Sequence, residues 1–168
     1  MKASHPNLRG SILIIERYLI DFDKPESAKD NLKGDVLFSA LGTTIRKAGS
    51  KEAQYKIDHT YQYKIAEMCA QNSVGAYVLV SSAGANPDSK IFYSRMKGEL
   101  DRDVQKLGFQ KVRILRPGIL EGERNESRMG EKTMIGFSRI ISKIPGLRML
   151  KPIHGEKVAR AMINSWRM

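Results

Sequence analysis

The stretch Ala76-Tyr77-Val78-Leu79-Val80-Ser81-Ser82 decides the fold. It is continuously apolar and then turns polar at two serines. A strand with one wet face alternates apolar and polar residues. A strand covered by helices on both faces does not, and parallel strands of α/β domains are of this second kind. Three more apolar runs flank it, at Ile12–Ile20, Asp35–Ala40 and Val112–Leu115. Helical patterns lie between and after them. Pro25–Leu32 is short, with Pro25 suited to a first turn. Lys51–Gln71 carries Ile57, Tyr61, Ile65 and Met68 at helical spacing. Ile91–Leu107 is closed by Gly108, and Glu131–Lys143 and Glu156–Trp166 complete the set. This alternation predicts an α/β domain with a mainly parallel sheet flanked by helices. In such folds ligands sit at the carboxyl ends of the strands. The places to search are therefore Leu41-Gly42-Thr43-Thr44, Ser81-Ser82-Ala83-Gly84 and Arg116-Pro117-Gly118.

The 168 residues suit a single domain spanning 1–168. Hydrophobic residues make up 41% and charged residues 28%, a globular mix. No apolar run is long enough to cross a bilayer as a helix, and Glu16 and Arg17 interrupt the nearest signal-like stretch. The single cysteine, Cys69, excludes an intrachain disulfide framework and a Cys-rich zinc site. The histidines His5, His59 and His154 lack ligand spacing. The expectation is a soluble, cytoplasmic, metal-free domain.

The chemistry-bearing residues lie in Tyr93-Ser94-Arg95-Met96-Lys97. Tyr and Lys four apart share a helix face. An ammonium beside a phenol favours the phenolate, which suits the phenol to proton transfer at a carbonyl or alcohol oxygen. Ser82, at a strand end eleven residues earlier, is placed to hydrogen-bond the same oxygen, with Ser81 as the neighbouring alternative. The spacing alone is weak, because 6 tyrosines among many lysines meet it by chance. Its position strengthens it: the pair opens a helix after a buried strand ending in Ser-Ser, and the next strand ends in Arg-Pro-Gly.

This order resembles the short-chain dehydrogenase/reductases of the extended and atypical type. Ala40-Leu-Gly-Thr-Thr44, Lys47-Ala-Gly49, Lys97-Gly-Glu99 and Arg116-Pro-Gly-Ile-Leu120 resemble, within them, the NAD(P)H-binding oxidoreductase branch that includes the human Tat-interacting protein and its small bacterial relatives. The resemblance implies a Rossmann-like NAD(P)-binding fold and a catalytic triad of Ser82, Tyr93 and Lys97. Tyr93 would give the proton in carbonyl reduction, and Lys97 would tune it and hold the nicotinamide ribose. Asp21 and Phe22 would contact adenine. Leu41, Gly42 and Thr43 would lie beside the adenosine and phosphates. Pro117, Gly118 and Ile119 would line the nicotinamide end, and Ser81 would be a further cofactor-binding residue. Each also has a plain reading: Gly42 and Gly118 as turn glycines, Asp21 as a solvated residue or a neighbour of a helix cap.

One part of the pattern is missing. A Rossmann-type domain opens with a strand, a glycine-rich turn and a helix whose N-terminus receives the pyrophosphate. No such turn occurs here, and Gly10 and Gly34 are the first two glycines. The chain thus reads as an N-terminally truncated version, with weak or lost binding of NADP or NAD. The Ile12–Ile20 strand is then expected to pair with Asp35–Ala40 as a substitute or to be poorly placed.

The net charge of +11 is concentrated in Lys132–Met168, where eight Lys or Arg face one acid, Glu156. Glu131–Lys143 is expected to pack on its own domain as an amphipathic helix, with an anionic membrane surface or a partner protein as the alternative. No aromatic platform or helix-turn-helix signal supports nucleic acid. Two functional classes stand: an NAD(P)-dependent oxidoreductase acting on a small carbonyl compound, and a non-catalytic regulatory or interaction module on a degenerate Rossmann fold.

Overall fold

The computed structural model describes residues 3–8, 11–121 and 152–168. Seven strands are assigned among them: β1 (Ala3–Leu8), β2 (Ser11–Ile15), β3 (Val36–Ser39), β4 (Ala76–Val80), β5 (Lys111–Leu115), β6 (Leu120–Glu121) and β7 (Ile153–His154). The helices are α1 (Ile45–Ala48), α2 (Lys51–Tyr55), α3 (Gln62–Gln71), α4 (Phe92–Val104) and α5 (Gly155–Arg167). A π-helical segment, Lys56–Tyr61, joins α2 to α3, and Pro25–Asn31 forms a 3-10 helix.

The central sheet has the order β3-β4-β5, and both pairings are parallel. Strand β4 is covered on both faces, as its unbroken apolar run requires. Tyr77 and Leu79 pack with Ala66 of α3 and with Leu100 and Val104 of α4. Val78, on the other face, packs with Val158 and Met162 of α5. Side chains of successive strand residues point to opposite faces, so the two clusters lie in separate layers. Burying each such side chain is worth roughly 1.5–3 kcal/mol, which makes β4 the element on which both layers depend.

The parallel sheet and its flanking helices follow the α/β reading, but the first strand does not. Residues 16–20 are not strand, and β2 pairs antiparallel with β1 in a separate two-stranded sheet. The expected substitute pairing of Ile12–Ile20 with Asp35–Ala40 is therefore absent. The β1–β2 register is irregular between Pro6 and Leu8, where proline has no N–H for the ladder. Strand β3 has one neighbour, β4, among the described residues. The expected helix Glu131–Lys143 lies outside the described residues.

The long helix also differs from its sequence reading. Its most buried stripe is not Ile57, Tyr61, Ile65 and Met68. It is Gln54, Asp58, Gln62, Ala66 and Cys69, with Met68 at the margin. The stripe is polar toward the carboxyl end of the sheet and apolar beyond it.

After β4 the chain folds back onto α4 through residues 82–91. The Asn86 amide donates to Ser94 O, and the Arg95 guanidinium donates to Ser89 O. Gly98 permits this contact. A methyl group there would stand inside the backbone of Asn86 and Pro87. Gly98→Ala is therefore expected to cost about 1–3 kcal/mol. Thermal denaturation should show a melting temperature several degrees lower, whereas an unchanged value would show that the loop has another place to go.

Candidate functional site

Three loops meet at the carboxyl end of the sheet. The β4–β5 ladder continues past both strands: the Ser81 amide donates to Leu115 O at 2.7 Å, and the Ala83 amide donates to Pro117 O at 2.9 Å. This sets Ser81 and Ser82 beside the Arg116-Pro117-Gly118 turn. The Ile153 amide donates to Ile119 O at 2.8 Å, so β7 closes the far side of that turn. Ser81 has the same strand parity as Tyr77 and Leu79, so it faces the α3–α4 layer. Its hydroxyl is buried without a hydrogen-bond partner among the described residues. Ser82 is half-buried.

Helix α4 supplies the next side chains. Tyr93, Lys97 and Asp101 follow at intervals of four and make one stripe. Tyr93 stands at the exposed end, and Lys97 and Asp101 are buried. Lys97 Nζ lies 3.9 Å from Asp58 Oδ2, with side-chain exposures of 5% and 1%. Burial pulls the Lys97 ammonium below its usual range, and Asp58 and Asp101 oppose that shift. Burial likewise pushes the Asp58 carboxyl up, against the pull of Lys97, the Thr43 amide and Gln54. Asp101 is held from the other side, because Arg116 Nε donates to its Oδ2 at 2.8 Å. Its Oδ1 is buried without a partner among the described residues. Arg116, the arginine of the Arg-Pro-Gly turn, thus has a structural role: it locks β5 to the stripe that carries Lys97.

The turn after β3 is tied to the same place. The Thr43 amide donates to Asp58 Oδ1 at 2.6 Å, and Gln54 Nε2 donates to Thr43 O at 3.1 Å. Gln62 Nε2 donates to Asp58 O at 2.6 Å, and Ser39 Oγ donates to Gln62 Oε1 at 2.7 Å. The buried polar stripe of the long helix therefore grips β3 and its turn. Gly42 fits closely there, since a Cβ would touch the Asp58 carboxylate at 3.7 Å and 3.8 Å. Thr44 leaves the turn as the cap of α1, accepting from the Lys47 amide.

The remaining expected residues divide. Gly42 and Thr43 meet Lys97 through Asp58, with Leu41 beside them in the chain, and Pro117 joins the Ser81–Ala83 segment through the continued ladder, with Gly118 and Ile119 following it in the turn. Asp21 serves its own turn, its carboxylate accepting from the Asp23 amide at 2.9 Å. Phe22 stacks on Tyr61, with ring centroids 5.3 Å apart, so it docks on the π-helical segment that holds Asp58. Asp58 itself escaped the sequence reading. Its signal was the polar series Gln54, Asp58, Gln62 at intervals of four, on the side where a core is needed.

The residues present suit the ribose and nicotinamide end of a dinucleotide, with a buried cation, a phenol, serines and a Pro-Gly turn. Among the described residues they offer no pyrophosphate cradle. The Thr43 amide is committed to Asp58. Among the described residues, no group of His, Cys, Asp and Glu is arranged to hold a metal ion. None of the described helices is long and apolar enough to cross a membrane.

No protein-family model matches the chain. It is similar to fungal proteins named Fmp52 and described as mitochondrial. The identity is 41% over 132 residues with the Aspergillus niger protein, covering 78% of this chain and 56% of that protein. With the Saccharomyces cerevisiae protein it is 38% over 144 residues, covering 80% and 60%. The chain thus spans little more than half the length of the curated relatives it matches. These relatives carry the Fmp52 name, not that of the Tat-interacting branch its motifs suggested. Their names also overturn the cytoplasmic expectation, which rested on composition and on finding no signal-like or membrane-spanning stretch. Among solved structures, the Bordetella bronchiseptica enzyme WbmH, crystallised with NAD+, superposes with a TM-score of 0.60 at 14% identity. The match covers 84% of this chain and 52% of that one. The chain therefore has a Rossmann-type α/β fold, shared with an NAD+-binding enzyme.

The Asp101–Arg116 pair gives a direct test of the site's construction. Arg116→Ala leaves a buried carboxylate with no cation beside it, other than Lys97. Arg116 is half exposed, so water can replace it in part. The expected loss is about 1–3 kcal/mol in urea denaturation. Removing both groups, as in Asp101→Leu with Arg116→Ala, should cost less than the sum of the two single changes.

Proposed function

We propose that the chain carries the catalytic end of an NAD(P)-dependent oxidoreductase of the short-chain dehydrogenase/reductase type, acting on a small carbonyl compound. The observation that carries this reading is the Tyr93–Lys97 stripe. A lysine buried against Asp58 lies one helical turn from an exposed tyrosine, on the helix whose start holds the loop after β4. A nicotinamide cofactor, when bound, supplies the hydride. Tyr93 gives its phenolic proton to the carbonyl oxygen as negative charge develops there. Lys97 lowers the cost of the resulting phenolate by its nearby positive charge. Ser82 or Ser81 donates a hydrogen bond to the same oxygen, and the Pro117-Gly118-Ile119 turn walls the other side. The names of the similar fungal proteins support a mitochondrial setting.

A second reading, a non-catalytic interaction module, is favoured by two observations. The Thr43 amide is already satisfied by Asp58, and the chain lacks a glycine-rich turn for the pyrophosphate. Weak dinucleotide affinity follows from both facts. A thermal-shift titration with NADH and NADPH should give little stabilisation at micromolar cofactor. A clear shift there would refute weak binding. Carbonyl reduction measured at millimolar cofactor should fall by roughly 10²–10⁴-fold in Tyr93→Phe, with the melting temperature unchanged. Activity that survives the change would remove Tyr93 as proton donor. A wild type with no turnover on any aldehyde or ketone would favour the interaction module.

A further inference from the structure

Asp58 does two things with one carboxylate. Its Oδ2 faces Lys97 Nζ at 3.9 Å, and its Oδ1 accepts the Thr43 amide at 2.6 Å. The turn is held again at Thr43 O by Gln54, from the same helical stripe. The charged and titratable groups around Lys97 are few. Asp58 comes from the π-helical segment, and Asp101 and Tyr93 come from its own helix, one turn to either side. Arg116, beyond β5, is spent on Asp101. Asp58 is therefore the one carboxylate, among the described residues, that touches both the lysine and the turn after β3. A π-helical segment inside an α-helix costs regular hydrogen bonding and is found frequently at functional sites. Here it carries the residue that joins two parts of the site.

We propose that Asp58 is a positioning residue that couples the Leu41–Thr43 turn to the charge on Lys97. The carboxylate fixes the turn through the Thr43 amide and holds the ammonium beneath Tyr93. Whatever moves the turn weakens Asp58's hold on Lys97, and whatever discharges Asp58 loosens the turn. Linkage makes the effect reciprocal: a ligand that binds the fixed turn also favours the charged lysine. The proposal rests on the reading of Tyr93 and Lys97 as proton donor and tuning cation, but its physical content does not need turnover.

The test is a pH titration by NMR of the protein labelled with ¹⁵N, with Lys97 Nζ assigned through Lys97→Met. In the wild type, protonation of Asp58 should move the Thr43 amide and the Lys97 Nζ resonances with one shared midpoint. A Thr43 amide that stays flat through that transition overturns the proposal, and no variant is needed to see it. Asp58→Asn keeps the shape and an acceptor for Thr43 but withdraws the charge. In it the shared acid transition should vanish, and Lys97 should lose its proton at a pH lower by about one unit or more. A Lys97 titration unchanged in Asp58→Asn also overturns it. If the enzyme turns over, Asp58→Asn should shift the alkaline limb of the kcat profile downward in pH. Coupled Thr43 and Lys97 titrations in a protein that reduces no carbonyl compound would uphold the coupling and refute the oxidoreductase reading instead.

Discussion

Two opposite charges, Asp58 and Lys97, are buried together at the carboxyl end of the sheet, and the surrounding structure is arranged to make that tolerable. Taking either ion out of water costs several kcal/mol, and their attraction offsets this only when the remaining polar atoms are satisfied. The Thr43 amide answers one oxygen of Asp58, and Lys97 lies against the other. Asp101 adds a second negative charge near Lys97, and Arg116 balances it from the half-exposed turn. Two acids and two bases leave the cluster neutral. Removing any one of them strands a charge. That is why residues on α2, the π-helical segment, α4 and the turn after β5 depend on one another.

The geometry around this cluster follows from close approach. Strand β4 carries apolar residues to both helical layers and then delivers Ser81 and Ser82 to the rim. Gly98 lets the 82–91 loop lie directly on α4, so the serines and the Tyr93–Lys97 stripe share one rigid frame. A larger residue at 98 would push the loop away from the stripe.

Much of this is written in local pattern. The unbroken apolar run of β4 announces a strand covered twice, and the strand ends announce where the turns converge. Tyr93 and Lys97 are legible because their spacing is helical and their position follows Ser81-Ser82. The fate of Ile12–Ile20 is not legible, since an apolar run does not say whether its partner is parallel or antiparallel. Only the tertiary arrangement places β2 against β1. Asp58 is hidden for a related reason. An acid on a helix normally marks the solvated side, so Ile57, Tyr61 and Ile65 look like the inner face. The inner face is polar because it meets the strand ends, where a neutral cluster and a backbone amide await a carboxylate. Cellular setting is not a property of composition at all, and the names of the similar fungal proteins corrected it.

The charge pattern bears on how a dinucleotide could be held. The cluster of Asp58, Lys97, Asp101 and Arg116 is neutral, so these four residues contribute nothing to the +11 of the chain. Eight of the basic residues fall in Lys132–Met168, and of those on α5, Arg160 is paired at the surface with Glu156. A phosphate brought to the turn after β3 would gain nothing from the net charge of this cluster and would depend on backbone N–H groups. The Thr43 amide is the N–H best placed by sequence, and Asp58 has taken it. A carboxylate at that position repels phosphate while it steadies the lysine. The carboxylate that steadies Lys97 therefore also keeps the Thr43 amide from any anion brought to the turn after β3.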